Sequence, residues 1–128
     1  MKVKDVPPGR LLSVDPDTTL AEVAKRMRVD NADSAAVMSG GRLVGIVTER
    51  DLVRAIADAM DPKQTRAAVV MTANPATVSA DEDVAVVALK MMRLGIRHLP
   101  VLDAAGTPVG LISASDLVAV LERGEEPG

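Results

Sequence analysis

Val44-Gly-Ile-Val-Thr-Glu-Arg-Asp-Leu and Val109-Gly-Leu-Ile-Ser-Ala-Ser-Asp-Leu are one nine-residue pattern written twice, 65 residues apart. Each begins as a strand of branched apolar residues and passes without a spacer into Thr/Ser-x-x-Asp, the signature of a helix start. The likeness continues outward from this pair. Residues 40–53 align with 105–118 at the same offset, and residues 14–37 align with 78–101 at an offset of 64, with 13 identities in 38 positions. Val14/Val78, Asp17/Asp81, Val23/Val87, Met27/Met91, Gly45/Gly110 and Asp51/Asp116 are among the identical pairs. A composition this rich in Ala and Val yields about 3 such matches by chance. The chain is therefore an internal duplication, and its architecture follows from that of one repeat.

Each repeat reads as β-α-β-β-α. A short extended segment (11–14; 76–78) leads through a polar turn into an amphipathic helix. Leu20, Val23, Ala24 and Met27 recur at i, i+3, i+4 and i+7, as do Val84, Val87, Ala88 and Met91. Two strands follow, at 35–38 and 43–47 in the first repeat and 99–102 and 108–112 in the second. A last helix spans 49–60 and 114–122. Asp61-Pro62 ends the first of these helices. Residues 66–71 mirror 2–7 as a lead-in to each repeat. The spacing predicts domains at 1–60 and 68–124, joined by a linker at 61–67, with a frayed tail at 125–128. A repeat of this size buries little surface alone. The expectation is an α/β (α+β) fold of two repeats packed about a pseudo-twofold axis and sharing one core.

Composition removes whole classes of function. The chain has 128 residues, 15 basic and 18 acidic, for a net charge of −3, with 48% apolar residues, one His, no Cys and no aromatic residue at all. Without Cys there is no disulfide framework, zinc-thiolate site, iron–sulfur cluster or cysteine nucleophile. One His excludes any site drawing two from this chain. Mild acidity and missing rings argue against a base-stacking nucleic-acid surface. No apolar run approaches about 18 residues, and Met1-Lys-Val-Lys-Asp is followed by no apolar stretch, so neither a membrane span nor a secretory signal is read. The expected compartment is the cytoplasm.

No catalytic constellation is present. His98 has no nucleophile elbow near it, since neither Ser113 nor Ser115 sits in Gly-x-Ser-x-Gly. Gly40-Gly41 is a hairpin turn and lacks the Lys-Ser/Thr of a phosphate loop. No metal site and no required cofactor are expected. The duplicated Thr/Ser-x-x-Asp has two compatible readings. As a cap, the hydroxyl takes a backbone N–H and the acid sits in the first turn. As a binding site, the helix N-terminus attracts phosphate while the carboxylate holds a ribose diol. Gly45 and Gly110 inside strands point to a close approach of ligand or backbone, or to a bulge.

These motifs, with Gly95-Ile-Arg-His-Leu-Pro-Val-Leu-Asp, resemble a tandem pair of CBS (cystathionine β-synthase) domains, the stand-alone Bateman module, over nearly the whole chain. The resemblance implies a regulatory, non-enzymatic module. Its two clefts between repeats take an adenine nucleotide of the AMP/ADP/ATP class as a regulatory ligand, and pairs form homodimers. It implies that Asp116 holds the ribose, that Ser113 caps and touches phosphate, and that Arg97 and His98 supply basic phosphate contacts. The adenine would lie against Val14, Leu20 and Ser34, Ala35 and Ala36. The other site would use Thr48 and Asp51, with Val78, Val84 and Ile96 as its wall. There Asp33-Ser34 replaces Arg97-His98, and a carboxylate repels a polyphosphate, so this site is expected to be weaker, to prefer fewer phosphates, or to be empty. The rival readings are a protein-interaction module with vestigial clefts and an unidentified protein partner, or a sensor of another adenosyl ligand such as S-adenosylmethionine. Neither nucleic acid nor membrane is an expected partner.

Overall fold

The structure, a computed structural model, describes residues 1–7 and 9–122. The tail expected to fray lies outside the described residues. Two compact units are present: Leu11–Pro75, and Met1–Arg10 together with the chain from Ala76 onward.

In the unit of residues 11–75 the order is β1 (Ser13–Val14), α1 (Leu20–Asp30), β2 (Ser34–Ser39), β3 (Arg42–Thr48), α2 (Glu49–Ala57), α3 (Ala67–Val70) and β4 (Thr72–Ala73). The sheet runs β1-β2-β3-β4, parallel at the first pair and antiparallel at the other two. The second unit repeats the plan with β5 (Val78–Ser79), α4 (Val84–Leu94), β6 (His98–Leu102), β7 (Pro108–Ser113) and α5 (Ala114–Glu122), in sheet order β5-β6-β7. The long helices start where the sequence places a cap. Thr19 accepts the Glu22 N–H at 3.3 Å and Asp83 accepts the Ala85 N–H at 2.8 Å. They stop at Asn31 (φ 53°) and Gly95 (φ 67°), residues that tolerate the left-handed conformation. Of the predicted inward faces, Leu20, Val23, Met27, Val87 and Met91 are buried and Val84 and Ala88 half-buried, but Ala24 is exposed.

Two features depart from the sequence-based expectation. Helix α2 ends at Ala57, before Asp61-Pro62, because Ala59 turns left-handed (φ 60°) and the Met60 N–H reaches back to the Ala55 carbonyl at 3.0 Å. The compact units are also not the sequence repeats, because each lead-in packs with the repeat it does not precede. The Val3 N–H bonds the Glu82 carbonyl at 2.9 Å and the Ala67 N–H bonds Thr18 at 2.8 Å. Each unit has a core cluster of its own. Val3 and Val6 join Val87, Leu99 and Ile112 in one cluster, while Ala67 joins Val14, Val23 and Val47 in the other. The exchanged lead-in supplies the apolar surface that a bare repeat lacks.

Candidate functional site

The two copies of Thr/Ser-x-x-Asp form the same local structure. Thr48 is the N-cap of α2; its Oγ1 accepts the Asp51 N–H at 3.4 Å, while Asp51 Oδ2 accepts the Thr48 N–H at 2.8 Å. Ser113 precedes α5; its Oγ accepts the Asp116 N–H at 3.1 Å, and Asp116 Oδ2 accepts the Ser113 N–H at 2.9 Å. Both are reciprocal capping boxes, so the structural reading of the motif holds in full. One difference separates them: the Thr48 hydroxyl also lies 3.1 Å from Asp51 Oδ2 and donates to it.

The box does not exhaust the carboxylate. An ionised Asp offers about four acceptor positions, and the cap of Asp116 draws on Oδ2 alone. Asp51 and Asp116 are half-buried, at the mouth of a strand-to-helix turn where the helix dipole is positive. Such a carboxylate, fixed by its own backbone bond, can accept from vicinal hydroxyls without first being ordered.

The strand pairing brings the sequence-picked neighbours to these turns. His98 stands opposite Ser113 in the β6–β7 register, and the Arg97 carbonyl accepts the Ala114 N–H at 2.8 Å. In the other unit Ser34 stands opposite Thr48, and the Asp33 carbonyl accepts the Glu49 N–H at 3.2 Å. Positions 97 and 33 are thus tied by backbone to the first residue of a helix, one carrying a cation and the other a carboxylate. Both side chains are exposed, whereas Ser34 is buried and His98 half-buried.

Val14, Leu20 and Ala35 are buried side chains of the unit that holds Thr48 and Asp51; Val78 is a core side chain of the unit that holds Ser113 and Asp116, with half-buried Ile96 packed on that core. The role visible for them is packing. Gly45 and Gly110 are both preceded by a bulge, for Val37 pairs Gly45 while Met38 pairs Leu43, and Val101 pairs Gly110 while Leu102 pairs Pro108. The close approach at Gly45 is made by this chain itself, since a Cβ there would overlap the Met71 side chain.

Sequence reasoning missed Gly9. Its N–H bonds the Leu111 carbonyl at 2.8 Å and its carbonyl accepts the Leu111 N–H at 3.1 Å, which lays the lead-in along β7 two residues from Ser113. A Cβ on residue 9 would meet the Leu111 oxygen at 3.1 Å. The one available signal was the position of Gly9 in the repeat alignment, opposite Ala73 of β4. Among the described residues no cluster of three or more His, Asp or Glu could hold a metal, and no helix is long and apolar enough to cross a membrane.

Among the described residues, two sheets and five α-helices follow a duplicated plan in which the last strand of each repeat enters its last helix through a capped turn, and they define a tandem mixed α/β module. The chain belongs to the CBS domain family, whose profile matches residues 3–58 and 67–123. An uncharacterised 17.7 kDa protein of Acidianus ambivalens is 35% identical over 123 residues, 94% of this chain and 73% of that protein. Against several longer Arabidopsis thaliana relatives the chain spans only 24% of their length. The CBS domain protein PAE2072 of Pyrobaculum aerophilum, solved in complex with AMP, is similar with a TM-score of 0.86 and 28% identity, over 98% of this chain and 100% of that one. The CBS domain pair of protein MJ0100, solved with 5′-methylthioadenosine and S-adenosyl-L-methionine, matches with a TM-score of 0.87 and 27% identity over 98% of each chain.

Proposed function

We propose that this chain is a non-enzymatic, cytoplasmic sensor module that binds an adenine nucleotide at the Ser113–Asp116 turn and works as a homodimer. The observation that carries the reading is Asp116, held by its own capping box with carboxylate acceptors unspent, beside backbone-tethered Arg97 and His98. Asp116 takes the ribose hydroxyls, the N-terminus of α5 and Arg97 attract phosphate, and the ligand shifts a conformational equilibrium that a partner protein reads. The AMP complex of the Pyrobaculum protein and the adenosyl ligands of the MJ0100 pair support an adenosine-containing ligand. The Thr48–Asp51 turn, with Asp33 and Glu49 where its counterpart has Arg97 and Ala114, disfavours phosphate by like charge and takes fewer phosphates or none.

The lack of Trp, Tyr, Phe and Cys supplies the test. The polypeptide is nearly silent in the near ultraviolet, so an absorbance spectrum of the protein freed of nucleic acid reports a retained base, and mass spectrometry of an acid extract names it. An adenosine compound is the expected result. A flat spectrum followed by flat thermal-shift titrations with AMP, ADP, ATP and S-adenosylmethionine would overturn the sensor reading in favour of a protein-interaction module whose Asp51 and Asp116 are caps only.

A further inference from the structure

Composition decides what an oxidant can do to this chain. With no Cys, Trp or Tyr, two-electron oxidation falls on the seven methionines, whose thioethers convert reversibly to sulfoxides. Their surroundings differ. Met27 and Met91 are buried, Met92 is exposed by 78%, and Met1, Met38, Met60 and Met71 are half-buried. Met71 is packed onto strand backbone. A Cβ on the buried Gly45 would overlap its Sδ and Cγ, so the thioether fills the gap that the missing side chain leaves. Met71 also stands at a joint. Its N–H bonds the Ala67 carbonyl at 2.9 Å at the end of α3, and β4 begins at the next residue. Strand β4 is held to β3 by the pairs Ile46–Thr72 and Gly45–Ala73 and by the Asn74 N–H on the Val44 carbonyl at 3.2 Å. Thr72, Ala73 and Asn74 are exposed, whereas Met71 packs with Val70 against the core cluster of Val14, Val47 and Ala67. Met71 is thus the apolar anchor of β4. In the other repeat its position is taken by Pro7, which peroxide does not oxidise.

We propose that Met71 is an oxidation site at which hydrogen peroxide unfastens β4 from β3, and at which reduction of the sulfoxide fastens it again. The site is independent of the nucleotide reading above. The step is an oxygen transfer. A lone pair of Sδ attacks one peroxide oxygen, the S–O bond forms as the O–O bond breaks, the thioether gives up two electrons, and the peroxide leaves as water. The reverse step takes two electrons and two protons from a dithiol through methionine sulfoxide reductases, and releases the oxygen as water. Half-burial admits a neutral oxidant of this size without unfolding the unit. The product does not fit where the reactant did. Sulfoxidation adds an oxygen where Sδ already meets the strand, and the S–O dipole needs hydrogen-bond donors that the apolar cluster around Met71 does not supply. The side chain is driven out towards water, and β4 loses its anchor. The consequence is confined to one repeat, since Pro7 gives the other no thioether at this position.

The test is treatment of the full chain with hydrogen peroxide. Peptide mass spectrometry maps the sulfoxides, and urea unfolding followed by far-ultraviolet circular dichroism reads stability. Met92 is expected to react fastest, by its exposure, and to leave the urea midpoint unchanged. Oxidation of Met71 is expected to lower the midpoint by roughly 1 M and to accelerate amide exchange at residues 72–74 by at least roughly tenfold. Methionine sulfoxide reductases with a dithiol are expected to reverse both. Met71→Leu keeps an apolar anchor of similar volume, and peroxide is expected to leave its midpoint unmoved. Met71→Gln places a polar side chain in the same space, and a lowered midpoint is expected without peroxide. A folded wild type whose Met71 stays unoxidised after Met92 is fully converted overturns the site. So does a Met71 sulfoxide that leaves the midpoint and the exchange of residues 72–74 unmoved. A fall that Met71→Leu does not prevent belongs to another methionine and overturns it as well.

Discussion

At the scale of the residue, Asp116 makes the cap of α5, and the proposed function gives it a second role at the ribose; the two come apart on substitution. Asp116→Ala removes the cap and the ribose acceptor together. We expect a loss of about 0.5–2 kcal/mol of stability without ligand and, on the proposed function, no rise in Tm on adding AMP. Asp116→Asn still accepts the Ser113 N–H, so the unliganded protein is expected to melt near wild type while ligand affinity falls, a split measured by thermal shift with and without AMP. Ala59 tells a different story. It holds φ 60° with a methyl group that disfavours that region, at the point where α2 is turned off. Ala59→Gly is expected to stabilise the protein by about 1 kcal/mol, read by chemical denaturation. The capping boxes were legible in the sequence because donor and acceptor lie three residues apart and the geometry is local. The end of α2 was not, since Ala carries no turn signal and the visible stop, Asp61-Pro62, comes four residues after the helix has finished.

At the scale of the element, strand β3 shows how a small residue serves packing between neighbours. Val44 is the extra residue of a bulge, and Gly45 beyond it makes room for Met71, which leads from α3 into β4. Gly45→Ala is expected to cost about 1–3 kcal/mol by overpacking. In a Met71→Ala background that cost should shrink to less than half. A double-mutant cycle by urea denaturation measures the coupling, and independent, additive effects would show that Met71 is not what fills the space. Periodicity made the two amphipathic helices and the central strand pairs readable, because a 3.6-residue or two-residue rhythm survives over enough positions to be seen. It failed for α3 and β4, which are four and two residues long. No pattern accumulates in so few residues, and their conformation is set by the strand edge on which they land. Gly9 beside Leu111 escaped notice for the same reason. Arg97 and Asp33 come to lie beside the helix starts because hairpin register fixes the residues that precede β6 and β2 there.

At the scale of the whole molecule, the exchange of lead-ins decides where the chain can be cut. A fragment of residues 11–75 holds every element of one compact unit, whereas a fragment of residues 1–60, the domain suggested by the repeat, lacks α3 and β4 and carries a lead-in with nothing to pack on. We expect the first to keep helical circular dichroism and a cooperative melt, and the second to lose both; equal behaviour of the two would show that the lead-ins add no stability. The duplication itself was plain in the sequence, but the exchange was not. It depends on contacts such as Gly9 with Leu111, about 100 residues apart, made by segments too short to announce their partners. This nesting also sets a schedule. During synthesis the unit of residues 11–75 has all its parts as soon as Pro75 clears the ribosome and can fold at once. The lead-in at residues 1–10 is made before that unit, yet must wait until β7 arrives to receive it. That segment is thus synthesised ahead of the unit it flanks and finds its place after it.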